Sequence, residues 1–391
     1  MTLTETILKT CFWCSAGGVG YTYLGYPVLI HTLSRLCGRP QSIPDVPDSG
    51  LPRVALLIAA HNEASVIEQR ILNALALDYP RELIDIVIAS DGSNDGTPDI
   101  CRRFEGQVRV LDFPVRRGKA QTLNAALPLL DTDIVAFSDA NTSMDSGALR
   151  RLASWFTDAR VGAVCGRLIL SDAGRNADGL YWRFETALKT CEGNLGGLLG
   201  ANGAIYAIRR DLFQPLPPGT IVDDFVIPLA AKLKSGCRIV FDPDAIAHED
   251  TAPDLRGEFR RRARIGAGAL QSLATLWPLL SPRHGWTALA LWSHKVLRWA
   301  CPLLLIGALL ASVALAGHPV YRAAFILQVA FYALCVIGTL VPSANPGVLR
   351  LFPMFAGMNI ALLVGFVRWM RGTQSGAWNR TARLGEGKSV A

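Results

Sequence analysis

The sequence predicts an α/β domain held between membrane-spanning segments. Three observations lead there. Residues 10–34, 299–321, 323–349 and 351–367 carry no Asp, Glu, Lys or Arg. Between the first of these and the rest, short apolar runs alternate with stretches of helical length, the pattern of strand–helix units in a parallel sheet. Acidic residues stand at the ends of those runs or in the loops after them, at Asp91, Asp95, Asp139 and Asp223–Asp224.

A helix needs roughly 20 residues to cross the hydrocarbon. The first three charge-free stretches are long enough and the fourth is marginal. The first reads as an N-terminal membrane anchor over 1–37, since no basic leader precedes it beyond Lys9 and no small-residue cleavage site follows. "GRPQSIPDVPDSGLP" (38–52) is a linker rich in Pro, Gly and Ser. The catalytic-sized unit runs over 53–275 and an interfacial segment with Trp, His and basic residues over 276–298. Two or three transmembrane helices follow within 299–370, and a basic tail closes the chain at 371–391. With the middle domain in the cytoplasm, three spans would put that tail outside. Arg368, Arg371, Arg380 and Arg383 assign it to the inside, which two spans would satisfy.

The elements of the middle domain follow in order. "RVALLIAA" (53–60) is a continuous apolar run, a strand buried on both faces. The stretch 62–80 is an amphipathic helix with Val66, Ile67, Ile71 and Leu75 on one side, stopped by Pro80. Strands are expected at 83–90, 108–111 and 133–140, with helices at 97–104 and 118–127 between them. Beyond Asn141 come a strand at 161–170, a helix at 177–193 and a glycine-bearing strand at 200–210. A helix at 223–236 opens on two acids and stops at Gly236, before a strand at 238–243 and a basic helix at 252–273.

Charge and cysteine usage narrow the setting. The net charge of +7, from 39 basic and 32 acidic residues, is concentrated in the arginines after residue 255 and in the tail. Attraction to anionic lipid and contact with a diphosphate account for it better than nucleic acid does. The nine cysteines form no framework, and Cys11 and Cys14 read as packing residues, which fits a reducing compartment for the middle domain.

The acidic positions carry the chemistry. Carboxylates at the C-terminal ends of strands in an α/β sheet converge on one crevice. There they repel one another unless a divalent cation, Mg²⁺ or Mn²⁺, or a donor-rich ligand sits among them. Asp91 follows a buried strand in a turn of residues that tolerate left-handed backbone. Asp139 and Asn141, two apart in extended chain, face the same way and could share one cation. Lys119, at a helix start after a glycine, suits a diphosphate, though a solvated surface lysine is the plain alternative. Asp223 and Asp224 open a helix, where they are either caps or a general base. Arg260 and Arg264 share a face of the basic helix and could reach lipid headgroups or a diphosphate. His248 is a weak candidate metal ligand.

Together these residues resemble the membrane-embedded inverting glycosyltransferases of family 2, with a GT-A, Rossmann-like fold. The relatives in view are the processive synthases of cellulose, hyaluronan and poly-N-acetylglucosamine. The likeness runs from about Arg53 to Gln271. "AAHNEASVI" is similar to the family's first-strand motif, "SDGSNDGT" to its nucleotide turn and "DAN" to its D-x-D. "GANGAIYAIRRDLF" is similar to its acceptor-side strand and "VDDF" to its catalytic acid motif. The resemblance implies a nucleotide sugar as donor, a UDP-sugar first, with Glu63 and Asp91 on the uridine. It implies Asp139 and Asn141 around the metal and diphosphate, Arg264 on the diphosphate, Asp224 as the base, and Gly203 and Asp223 on the acceptor side. The implied product is a surface or secreted polysaccharide, or alternatively one sugar on a polyprenyl phosphate or glycolipid. The implied location is the cell membrane, with the catalytic domain in the cytoplasm. Two departures stand out. Asn141 replaces the second acid of D-x-D, and Arg261 and Ile265 replace the Gln and Trp of a Q-x-x-R-W motif.

Overall fold

The computed structural model describes residues 2–170, 177–250, 255–340 and 351–373. The tail beyond 373 and the expected helix start at 252 lie outside the described residues. An N-terminal helical rod is built of α1 (Leu3–Gly20), a π-helical turn (Tyr21–Gly25) and α2 (Tyr26–Cys37). The sheet begins with β1 (Val54–Ala60), every residue of which is buried. A strand apolar on both faces belongs in the sheet centre, and β1 indeed lies between β2 (Ile84–Asp91) and β4 (Ile134–Asp139), parallel to both. Helix α3 (Ile67–Leu75) buries Ile67, Ile71 and Ala74, spaced one turn apart. It starts five residues later than the sequence predicts, because Asn62 takes a left-handed conformation (φ 57°). In that turn Asn62 accepts from Asn94 N–H and donates to the Ser93 hydroxyl, lacing the β1 and β2 loops together.

The remaining elements are α4 (Thr97–Arg102), β3 (Arg109–Phe113), α5 (Lys119–Ala126), β5 (Ser143–Met144), α6 (Ala148–Ser154), β6 (Val161–Leu170) and α7 (Ala177–Leu195). They continue with β7 (Tyr206–Arg209), α8 (Asp223–Ser235), β8 (Arg238–Glu249) and α9 (Leu255–Leu276). The strand order is β3-β2-β1-β4-β7-β6-β8-β5. The first four strands form the expected parallel half. Beyond Asn141 the pattern changes, and β7 runs antiparallel to both β4 and β6. Its glycine-bearing approach, Gly200–Ile205, enters from the carboxyl end of β4 and turns back down the sheet. That reversal sets Tyr206 opposite Phe137 and lays the approach over Asp139.

Beyond the domain come α10 (Trp286–Ala290), a π-helical turn (Leu291–Val296), α11 (Leu297–Ala314), α12 (Pro319–Leu340) and α13 (Leu351–Met370). Among the described residues three helices are long and apolar enough, by length and composition, to cross a membrane: Trp286–Ala314, Pro319–Leu340 and Leu351–Met370. The N-terminal rod is diluted by Thr, Ser, Gly and Tyr and is not one of these three. It packs beside the first of them, Phe12 among Ala308, Ala311, Leu315 and Tyr321. Cys11 and Cys14 are exposed on α1 rather than packed, and all nine cysteines are free.

A buried polar network fastens the first apolar helix to the domain. Glu192 of α7 accepts from the Tyr26 hydroxyl and shares a hydrogen bond with His294 Nδ1, both 2.7 Å. Arg298 pairs with Glu185 one helical face along α7. Charges buried at such a junction persist only when paired, so α7 and the apolar helix keep one register.

Candidate active site

The crevice at the carboxyl ends of β2, β1 and β4 gathers the candidate residues. Asp91 and Asp139 end β2 and β4, the strands on either side of β1, so their backbones stand two strand spacings apart, roughly 10 Å. Asp91 is 1% exposed, and its two carboxylate oxygens accept from Arg117 N–H at 2.7 Å and Gly118 N–H at 2.8 Å. The approach that permits this is steric. Gly92 has φ 59°, and a Cβ there would lie 2.5 Å from Arg116 N, so the turn admits only glycine. Asp91 thereby holds the segment that ends at Lys119. Glu63 lies at the next strand end, 6% exposed, with its amide donating to the Thr97 hydroxyl. Asp95 accepts from Ala64 N–H and from the Thr97 amide and hydroxyl, a capping role within the turn.

Lys119 joins two distant segments. Its ammonium lies 2.9 Å from Asp139 Oδ1 and 3.3 Å from Asp223 Oδ2. Burial alone would lower its pKa, but the charges of Asp139 and Asp223 outweigh burial and hold it above the usual lysine value. It is therefore a fixed charge inside the crevice, not a surface lysine.

Asp223 and Asp224 are the first residues of α8. Asp224 Oδ2 accepts from Gly203 N–H at 3.0 Å, and its backbone carbonyl accepts from Ala201 N–H at 2.9 Å. The glycine-bearing approach thus lies between Asp139 and Asp224. A Cβ built on Gly203 would sit 3.5 Å from Asp224 Oδ2 and 3.6 Å from Asp139 Oδ2. Those distances are ordinary contacts, so Gly203→Ala folds normally but sets a methyl between the two carboxylates. Its expected result is an unchanged melting temperature with a roughly tenfold or greater fall in kcat/KM, read from thermal melts beside initial rates.

Burial, then the negative charge of Asp223, pushes the Asp224 carboxyl up to about 6, against the opposing pull of Lys119 and Lys189. Arg264 of α9 belongs to the same group, since Asp223, Asp224 and Asp139 all bear on its charge. Burial, then neighbouring Arg261, pulls its pKa below the usual arginine value.

The D-x-N pair divides. Asp139 faces Lys119, whereas the Asn141 amide nitrogen donates to Glu249 Oε1 at 2.8 Å. His248 lies 3.0 Å from Asp145 Oδ1. Among the described residues no group of three or more His, Cys, Asp or Glu side chains is disposed to hold a metal by itself. Two contacts carried no signal in the sequence. Phe225, next to Asp224, meets Trp299 of α11 edge to face with ring centroids 6.0 Å apart. Lys189 of α7 donates to Asn202 Oδ1 beside the approach to β7.

Residues 55–216 match the family model for Glycosyl transferase family 2. The chain is 28% identical over 268 residues to the beta-monoglucosyldiacylglycerol synthase of Trichormus variabilis, covering 64% of this chain and 56% of that protein. It is 25% identical over 244 residues to the poly-beta-1,6-N-acetyl-D-glucosamine synthase of Staphylococcus aureus, covering 59% and 58%. The chain therefore spans just over half the length of the curated relatives it matches. The solved structure of the mannosyltransferase PcManGT from Pyrobaculum calidifontis, in complex with GDP-Man and Mn²⁺, superposes with a TM-score of 0.70 at 23% identity. That superposition covers 94% of this chain and 99% of the other, and it supports the fold. Strand order, crevice and family match agree: residues 55–216 match a family 2 glycosyltransferase domain, on a GT-A fold followed, among the described residues, by three apolar helices.

Proposed function

We propose that this chain transfers a sugar from a nucleotide-diphosphate sugar, a UDP-sugar first, to an acceptor hydroxyl with inversion, Asp224 taking the acceptor's proton. The observation that carries the reading is the placing of Asp224. Its carboxylate is oriented by Gly203 N–H, its proton affinity is raised to about 6, and it faces Asp139 and Lys119 across one glycine. A general base works best with a pKa near the working pH. One in-line displacement inverts the anomeric centre. Lys119 and Arg264 are fixed positive charges for the leaving diphosphate, and Glu63 and Asp91 line the nucleotide side.

A divalent cation fits the donor set. Asp139 already holds a positive charge, the Lys119 ammonium 2.9 Å from its Oδ1, and its Oδ2 faces Gly203 at the mouth of the acceptor approach, a carboxylate placed for a cation. Mg²⁺ or Mn²⁺ takes one or two carboxylates and completes its shell from phosphate oxygens and water. Asp139 would hold it, while Asn141 is turned to Glu249. A cation bound there would neutralise charge on the diphosphate.

For the acceptor, a membrane-borne molecule is favoured. The base sits one residue from Phe225, which rests on Trp299 of the first apolar helix. An aromatic pair at that place offers an amphiphile a platform beside Asp224. It stands in for the aromatic that Ile265 does not provide, and it favours one-sugar transfer to a lipid over extension of a polysaccharide. On this reading residues 53–275 form the catalytic unit on the cytoplasmic face, 276–298 lies at the interface, and the N-terminal rod lies in lipid beside Trp286–Ala314. Membranes holding the protein are given UDP- and GDP-sugars with Mn²⁺. The expected product is a single-hexose lipid, and a high-mass polymer would refute the lipid reading.

A further inference from the structure

Tyr206 lies beneath the carboxylates with a hydroxyl that no step above employs. The residue is 0% exposed. Its ring stacks on Phe137 with centroids 4.6 Å apart and planes at 11°, a pairing set by the β4–β7 register. Phe137 precedes Asp139 by two residues in β4, so the stack and that carboxylate share one face of the sheet. Asp223, then Asp224 and Asp139, are the charges that bear on the Tyr206 hydroxyl. That hydroxyl has no hydrogen-bond partner among the described residues. Neither has Asp223 Oδ2, which lies 3.3 Å from the Lys119 ammonium. One orphan is a donor and the other an acceptor. Buried polar groups are rarely left unpaired, and two in one place call for a shared partner. A phenylalanine would serve the ring stack equally well, so packing alone does not explain the hydroxyl.

We propose that Tyr206 is a positioning residue for sugar transfer: its hydroxyl donates through one buried water to Asp223 Oδ2 and fixes the turn from which Asp224 projects. Val222 supplies no side-chain cap to α8, so the first turn is held through Asp223 itself, by Lys119 on one side and Tyr206 on the other. Asp224 is the next residue in that turn. The inference rests on reading Asp224 as the base.

The test is Tyr206→Phe in the full chain in membranes, with kcat, donor KM and melting temperature measured together. Phe keeps the stack, so the melting temperature should hold. Loosened placement of Asp224 should lower kcat about 10- to 100-fold, with donor KM unchanged. In an Asp223→Asn background the same substitution should add no further loss. The inference is overturned by a kcat within about twofold of the parent, by a loss borne by donor KM, or by an equal loss in the Asp223→Asn background. A lowered melting point with kcat retained would assign Tyr206 to the core and equally overturn it. Asp224→Asn separates the two readings. If that variant turns over, the base reading fails. If it is dead while Tyr206→Phe is unimpaired, only the present inference fails.

Discussion

Asp224→Asn should lower transfer by about 10²- to 10⁴-fold while leaving donor affinity close to that of the parent. The amide oxygen of Asn can still accept from Gly203 N–H, so the geometry survives and only the basic site is lost. In the parent, the rate should fall as pH drops through about 6, because a protonated Asp224 cannot accept the acceptor's proton. The stability consequence has a definite sign. The folded carboxyl binds its proton more tightly than an unfolded Asp, whose pKa is near 3.9. Its contribution to stability is therefore present at low pH and lost as pH rises through about 6. Asp224→Asn should thus melt at or above the parent temperature at pH 8, yet lose turnover. Rate measurements and melts at pH 5 and pH 8 check both halves. Turnover retained in Asp224→Asn would remove that residue from the base role.

Gly365→Leu, in the last apolar helix, should cost both stability and turnover although residue 365 lies outside the sugar-transfer domain. A Cβ there would stand 2.6 Å from Ala263 O, 2.8 Å from Ala267 N and 3.0 Å from Gly266 C. All three are backbone atoms of α9, which cannot step aside as a side chain can. Small residues permit such close helix approach, and any larger one forces α9 and α13 apart. Overpacking of this kind costs about 1–3 kcal/mol. Arg264 follows Ala263 in the same turn, so its guanidinium moves with α9. A shift near 1 Å at a charge-stabilising group can cost about 10²-fold in rate. Gly357→Leu is the control, since a Cβ at Gly357 meets nothing within 4 Å. Equal rates in the two variants would show that α13 does not set the position of Arg264.

Much of the fold was legible because its signals are local. β1 and β4 read as apolar runs, and Asp91 and Asp139 read as strand ends because a charge after such a run needs partners from outside the strand, which Asp91 finds in Arg117 and Gly118 N–H. The apolar pattern shows a strand only over 238–243, whereas β8 runs six residues further, through Asp244, His248 and Glu249. Those polar residues hid the strand; in the structure Asp242 is paired with Arg151 and Trp155 and His248 with Asp145. Lys119 was ambiguous in the sequence, as helix-start lysines usually face water. Burial between Asp139 and Asp223 decided the matter.

The alternation of apolar runs and helices, the carboxylates at the strand ends and the apolar helices after the domain are all written in the order of the amino acids. These are properties of neighbouring residues, and periodicity and composition record them. The reversed run of β7, the place of Gly203 between Asp139 and Asp224, the turn of Asn141 to Glu249 and the reach of Trp299 to Phe225 arise from packing across the folded chain. Those contacts join residues remote in the chain, and they depend on strand order and helix packing. Burial then fixes which charges neutralise one another, because in a poorly hydrated crevice a carboxylate must find a partner or hold its proton.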